Sequence, residues 1–555
     1  LIDRFLPIND RCVYFWYANT DMEPQCSYHY MSYAETGYFS QLIADYESGS
    51  EHLRDFYVYT PDDKGIADAV TKRSHYHINR KLLVETLLRQ YEGLETDEPV
   101  KANIASLADE HTFTVTTAHQ PNLLTGYLYF VYKIIHAIKL AEQLNDKYID
   151  RKFVPVYYMG SEDNDLAELG TFRFRGEKYV WDGAGQQGAV GRMSTAGLQP
   201  LLARLLHDFG PPGIDCDNLT DVIKEAYGKK RTIGEATRYL VNELFGRYGL
   251  VVIDPDDREL KRTFIPVMED DLMKGSAAPI VSEQTVKLTE RYKAQAYPRP
   301  INLFYLHDQL RERIEKQGEH WIVINTDISF SQDELIKELY QFPERFSPNV
   351  VLRGLFQSTI LPDVAFIGGG AEVAYWFQLK TLFEYYNVPY PVILQRQSVL
   401  WIGAREHRLR EQCALSVQEI FTETAVLEKR LVTAAAGAFI DTTAEKKAIE
   451  TTMQQLRTRA VTVDKTLAAA TDAVIARIER QLANLDKKML RAEKKKHDVA
   501  LSRIYRLREK LFPNDSLQER IENFAEYYLE NGPAFFDIIK NGIQPLGGRF
   551  LIIER

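Results

Sequence analysis

Three clusters of polar residues in the sequence each follow a short run of apolar or β-branched residues. The first is His119, Gln120, Asn122, Thr125 and Gly126, with Lys133 beyond it. At a strand-to-helix turn, the backbone N–H groups of the helix start face outward and can hold an anion. Gly126 carries no side chain, so a phosphate or carboxylate can approach closely there. Thr125 suits a helix cap. His119, at the strand end, can protonate or hydrogen-bond a developing oxyanion, or it is a packed or surface histidine. Lys133 lies off the apolar stripe of the following helix and reads as a nucleotide contact or as a solvated cation.

The second cluster, "GSEDNDLAE", brings Ser161, Glu162, Asp163, Asp165 and Glu168 together. Neighbouring carboxylates repel one another and make sense around an amine, a hydroxyl-rich ligand or Mg²⁺. The competing reading is a helix cap at Ser161 or Asp163, with surface acids beyond. No metal centre is assigned.

The third cluster runs from "RFSPNVVLRGLFQ" into "GGGAEVAYW". Gly368, Gly369 and Gly370 permit close backbone approach to a ligand such as a nucleotide. The spacing is neither a dinucleotide fingerprint nor a P-loop. Ser347, Asn349, Arg353 and Gln357 supply donors, and Arg353 suits bidentate contact with a carboxylate. Glu372 can accept from an amine. Tyr375 and Trp376 wall a pocket or pack the core.

The elements that must carry these clusters alternate. "TFTVTTA" (112–118) is dense in β-branched residues and reads as a buried strand. Val131, Ile134, Ile135 and Ile138 then share one face of a helix running to about Leu144. Further strands are expected at 153–159, 250–253, 363–367 and 391–394, each ending in a polar or glycine-rich turn. Short apolar strands alternating with helices predict an α/β fold with a parallel sheet covered on both faces. Ligands of such sheets sit beyond the carboxyl ends of the strands.

The expected division is as follows: a mostly helical N-terminal part over 1–110, the first half of the core over 111–170, and an insertion over 171–245. A core strand at 246–257, a second insertion at 258–345 and the second half of the core at 346–412 come next. A coiled coil is expected over 413–515, and a segment packing back on the core over 516–555. Ile475, Ile478, Leu482, Leu485 and Met489 form an a/d seam, which closes either within one chain or between two.

The formal net charge of −10 argues against broad nucleic-acid binding, and the basic run 487–496 reads as a solvated coiled-coil face. The four cysteines, Cys12, Cys26, Cys216 and Cys413, are scattered without metal-ligand spacing and fit reduced thiols in the cytoplasm. No apolar run is long enough to span a bilayer, and no secretory leader is read at the N-terminus.

The segments "TTAHQPNLLTGYLYFVYKIIHAIKLAEQL", "PVYYMGSEDNDLAEL", "FSPNVVLR" and "GGAEVAYWFQLK" together resemble the bacillithiol-biosynthesis cysteine-adding enzymes, the BshC family. The resemblance covers nearly the whole chain. It implies a nucleotidyltransferase-like Rossmann core related to class I aminoacyl-tRNA synthetases, with connecting-peptide insertions and a C-terminal coiled coil supporting dimers. It also implies a ligase that joins L-cysteine to glucosaminyl-malate, with ATP or another nucleotide as a conceivable cofactor. Related synthetases hold ATP with a His-x-Gly-His turn. This chain has His-Gln-Pro-Asn there, and "QRQS" (395–398) stands where their second signature loop is expected. A tRNA-binding protein of synthetase descent is the alternative reading.

Overall fold

A computed structural model describes residues 26–229, 231–436 and 442–555. Cys12 lies outside the described residues; Cys26, Cys216 and Cys413 are free thiols. Five strands form the central parallel sheet: β1 (Thr112–His119), β2 (Lys152–Met159), β3 (Val251–Ile253), β4 (Asp363–Gly368) and β5 (Val392–Gln395). Their order is β5-β4-β1-β2-β3. The chain works outward from β1 to β3, returns to the other side of β1 at β4, and works outward again. The strand order therefore reverses between β1 and β4, where a crevice opens at the carboxyl ends of the strands. The register puts His119 beside Met159 and Thr117 beside Ile367.

The β-branched run of β1 is buried along its length, as expected for a central strand covered on both faces. Helix α1 (Leu128–Lys147) follows it and buries Val131, Ile134, Ile135 and Ile138 against the sheet. Between them Leu124, Thr125 and Gly126 have φ values of 48°, 65° and 67°. Two non-glycine residues in the left-handed region cost strain, which neighbouring contacts must hold. Leu124 N–H donates to the Tyr227 hydroxyl at 3.0 Å, and Asn523 Nδ2 donates to the carbonyls of Leu124 and Gly126 at 2.8 and 2.6 Å.

The insertions have structure of their own. The first carries a hairpin, Thr171–Phe174 with Glu177–Val180, and a group of helices. The second opens with the short helix α2 (Arg258–Arg262) and builds a five-stranded antiparallel sheet. Phe346–Pro348, expected in the core, pairs instead with Leu303–His307 of that sheet. The Rossmann core resumes with α3 (Val350–Ile360), β4 and α4 (Gly370–Tyr385).

The N-terminal part contains a strand, Ser27–Met31, that its helical pattern did not announce. It pairs with the C-terminal strand Phe550–Glu554, which in turn pairs with Val399–Ile402. From Thr443 the chain forms an antiparallel helical hairpin, α5 (Thr443–Val463) and α6 (Leu467–Lys496), followed by α7 (Asp498–Leu511). Arg457–Asp472 and Lys446–Asp486 ion pairs tie α5 to α6. Ile475, Ile478, Leu482 and Met489 are half-buried, while Leu485 stays exposed. Among the described residues no helix is long and apolar enough to cross a membrane.

Candidate active site

A cleft of about 420 Å³ opens at the strand-order reversal and is the size of a small-molecule site. Its wall includes His119 and Gln120 from the end of β1, Tyr129 and Lys133 from α1, and Gly160, Glu162, Asp163 and Glu168 from beyond β2. Asn349 and Arg353 of α3 and Gly369, Gly370, Glu372 and Tyr375 around the start of α4 complete much of the rest. Residues far apart in sequence thus meet because most of them follow the carboxyl end of a parallel strand or lie in the first turns of the next helix.

His119 stacks on Tyr129, with ring centroids 5.3 Å apart. Its Nδ1 lies 2.6 Å from Gln120 Oε1, and Gln120 Nε2 donates to Asp163 Oδ2 at 3.0 Å. Gln120 N–H also donates to this Nδ1 at 2.8 Å, so the nitrogen faces both a backbone donor and the amide oxygen. Nε2 is buried without a hydrogen-bond partner among the described residues. Burial, and then the Lys133 ammonium, hold the His119 pKa well below the usual histidine value, so the ring is neutral.

Lys133 is not solvated. It is buried, donates to the Ala118 carbonyl at 3.0 Å and pairs with Glu372. Glu372 also accepts from Gly369 N–H at 2.8 Å, capping α4 in the manner of a capping box. Glu162 is buried and paired with Lys261 of α2. Burial raises its pKa, and Lys261 opposes the rise. Glu168 is also raised, by burial and by the Asp165 and Asp163 carboxylates.

Arg353 donates to the Tyr375 hydroxyl and lies over the Tyr158 ring at 5.6 Å. Asn349 caps α3, accepting from Val351 N–H at 2.8 Å, so it sets the helix that presents Arg353.

Several expected site residues lie elsewhere. Thr125 and Gly126 are buried behind the cleft, and α1 begins at Leu128, so Thr125 is not its cap. Leu128 N–H donates to the Glu522 carbonyl, so protein already fills that helix start. Asn122 is buried under Gly126. Ser161 donates to Asp254 at 2.5 Å and stands outside the cleft wall. Asp165 caps the short helix Leu166–Leu169. Ser347 is buried in the insertion sheet. Gln357 donates to Asp363, which pairs with Arg73 at 2.5 Å in the core. Trp376 packs on Phe366, Phe383 and Tyr390 and does not reach the cleft. Gly368 ends β4 in a buried position, leaving Gly369 and Gly370 at the wall.

Four cations at or behind the wall were not anticipated: Arg311 from the second insertion, Arg396 and Arg520 in the wall, and Lys261 behind it. Arg396 belongs to the "QRQS" segment and is held by Glu519 through two bonds of 2.7 Å. Arg311, Arg353 and Arg520 have no carboxylate partner among the described residues, Arg353 bonding to Tyr375 and Arg311 to Asn164, and guanidinium groups whose charge is unmatched suit an anionic ligand. Among the described residues no group of three His, Cys, Asp or Glu side chains can hold a metal ion.

Comparison with known proteins agrees over the whole described length. The family description "Bacillithiol biosynthesis BshC, N-terminal Rossmann-like domain" matches residues 26–397. "Bacillithiol biosynthesis BshC, C-terminal coiled-coil domain" matches 399–555. Curated relatives carry the name "Putative cysteine ligase BshC". One from Flavobacterium johnsoniae is 40% identical over 94% of this chain and 99% of its own. One from Cytophaga hutchinsonii is 42% identical over 91% and 95%, and one from Salinibacter ruber 30% identical over 92% and 95%. With a Rossmann-like core, a helical C-terminal hairpin and this extent of similarity, the chain belongs to the BshC family of bacillithiol biosynthesis.

Proposed function

We propose that this protein is a ligase that forms an amide between the carboxyl of L-cysteine and the amine of glucosaminyl-malate. The observation that carries the reading is the division of charge in the cleft. Glu162, Asp163 and Glu168 gather beyond β2, while Arg353 and Arg520 stand free of carboxylate partners. An amino sugar bearing a dicarboxylate presents the complementary pair of charges. The malate carboxylates go to the guanidinium groups, with Arg353 as the main contact. The amine must lose its proton to attack, and Glu162 or Asp163 receives it. Neutral His119 offers its unpartnered Nε2 to a hydrogen-bonding group on either substrate, and the N-terminus of α4 at Gly369–Gly370 faces the developing oxyanion. If a nucleotide activates the cysteine carboxyl, its phosphates belong at this same helix start and must contend with Glu372.

We further propose a homodimer through the outer face of the α5–α6 hairpin, and a cytoplasmic location consistent with the unpaired thiols. The test of the main reading is direct: purified protein, L-cysteine and glucosaminyl-malate, with and without ATP, followed by mass spectrometry. A condensation product lighter than the summed substrates by one water supports the reading. Absence of product under both conditions, from protein shown to bind glucosaminyl-malate, overturns it.

A further inference from the structure

Glu162 is held in the cleft wall by a group that no ligand reaches. Lys261 lies on α2 with its side chain 1% exposed. Its Nζ donates to Glu162 Oε1, to Asp256 Oδ1 at 3.0 Å and to the Glu344 carbonyl at 3.2 Å. An ammonium has three donors, and all three are used. Arg192 of the first insertion closes the far side, with bonds of 2.6 and 2.7 Å to Asp256 and 3.1 Å to the same Glu344 carbonyl. The first insertion, the turn after β3 and the second insertion therefore converge on one oxygen of Glu162. The other oxygen takes no hydrogen bond from any described residue.

Resting on the ligase reading above, we propose that Lys261 is a positioning residue: braced by Asp256 and Arg192, it keeps the Glu162 carboxylate ionised with one oxygen turned to the cleft, ready to take the amine proton. A buried carboxylate left alone would hold its proton at neutral pH. One locked by an ammonium stays charged and keeps a single rotamer. The groups facing Glu162 are Lys261 on α2, Asp256 after β3, Arg192 and Arg311 from the two insertions, and Tyr158 on β2. Lys261 itself stays protonated: burial works against its charge, but Asp256 and Glu162 outweigh it. Arg192 has a second anion in Asp256 and does not replace Lys261 at Glu162.

The experiment uses the full chain. Lys261→Met is expected to lower kcat about tenfold to a hundredfold, with KM for both substrates changed less than about threefold. The acidic limb of the kcat profile should move up by about one pH unit or more, because Glu162 then protonates more readily. Lys261→Gln, which keeps a donor without charge, takes its place if the Met variant does not fold, with the same pH profile expected. Thermal unfolding of Lys261→Met, Glu162→Gln and the double variant supplies an arm that needs no activity. Glu162→Gln should lower Tm alone but raise it in the Lys261→Met background, where it removes an unpaired buried charge. Additive Tm changes together with an unmoved pH profile would overturn the inference. Wild-type turnover of Glu162→Gln, with the Tm coupling intact, would instead sink the base role in the proposed reaction while leaving the pair itself standing.

Discussion

Lys133 and Glu372 meet across the point where the strand order reverses, one from α1 after β1 and the other from α4 after β4. The pair lies in the wall of the cleft, with the lysine buried and the glutamate also capping α4. It ties together the two helices that flank the crevice. Burial lowers the Lys133 pKa even with Glu372 opposing it, so the ammonium depends on its partner.

Removing only one member leaves an uncompensated charge. Lys133→Met is expected to destabilise the protein by about 3–5 kcal/mol. Adding Glu372→Gln should recover much of that loss. Urea denaturation of the two variants checks both expectations. Equal midpoints for Lys133→Met and the parent protein would show that the pair contributes nothing to stability.

His119→Ala is expected to cut product formation by about 10²–10⁴-fold while the far-UV spectrum stays unchanged. The ring stacks on Tyr129 at the cleft wall and bonds to Gln120, so its loss disturbs the site before it disturbs the core. Wild-type turnover by purified His119→Ala would remove this residue from the mechanism.

Arg353 and Asp163 should separate in kinetics. Arg353→Ala is expected to raise KM for glucosaminyl-malate by about tenfold to a hundredfold, the worth of a charge-assisted hydrogen bond. Asp163→Asn is expected to act mainly on kcat. The Gln120 amide holds Asp163 at 3.0 Å, so losing its charge also loosens Gln120 and His119. An unchanged KM with turnover abolished in Arg353→Ala would move that arginine to the activation of cysteine.

Stability should fall on mild acidification through a residue outside the site. His136 is buried, donates from Nε2 to the Pro545 carbonyl and accepts at Nδ1 from Gln397 N–H, both at 3.0 Å. A second ring proton would set two donors face to face. Burial pushes its pKa from 6.5 down to about 4. The unfolded chain therefore binds a proton in that window that the folded chain does not. Stability is full above the unfolded value and falls as pH drops towards the folded one. The expected slope is about 1.4 kcal/mol per pH unit from this ring alone. Urea midpoints across the window should show it, and His136→Gln should flatten the slope by one proton.

The hairpin exposes Leu456 on α5 and Val474 and Leu485 on α6, each about half accessible. Light scattering at micromolar concentration is expected to give twice the chain mass, and Leu485→Lys to shift it towards the chain mass. A monomeric parent protein would mean that α5 and α6 satisfy each other within one chain.

The sequence carried the parallel sheet plainly, because β-branched strands and a 3.6-residue stripe are local signals. It also located His119, Gln120, Glu162, Asp163, Arg353, Glu372 and Gly369, which follow strand ends or begin helices. It misplaced Gln357 and Trp376, since a helix that presents Arg353 or Glu372 to a cleft must present its other faces to the core. Their partners, Asp363 and Phe366, lie on β4. Lys261, Arg311, Arg396 and Arg520 stayed hidden because each reaches the cleft by a long-range packing route. The one local hint was Arg396 in "QRQS", where the resemblance already expected a second signature loop. For Lys133 it is the solvated reading that fails, because a lysine off an apolar stripe looks solvated unless its distant carboxylate is known.

The grip of residues 519–523 on the cleft has a consequence for how the protein comes into being. Glu519 fastens Arg396, and Asn523 pins the left-handed turn at Leu124–Gly126. Both clamps lie after the long helical hairpin and close to the end of the chain. A nascent chain that has released β1 through β5 from the ribosome therefore holds every strand of the sheet but not a finished cleft. Termination before Glu519 removes both the counter-charge of Arg396 and the Asn523 bonds to the left-handed turn, leaving Tyr227 to hold Leu124. A fragment ending at the Rossmann boundary therefore lacks both clamps and is a poor starting point for a minimal enzyme.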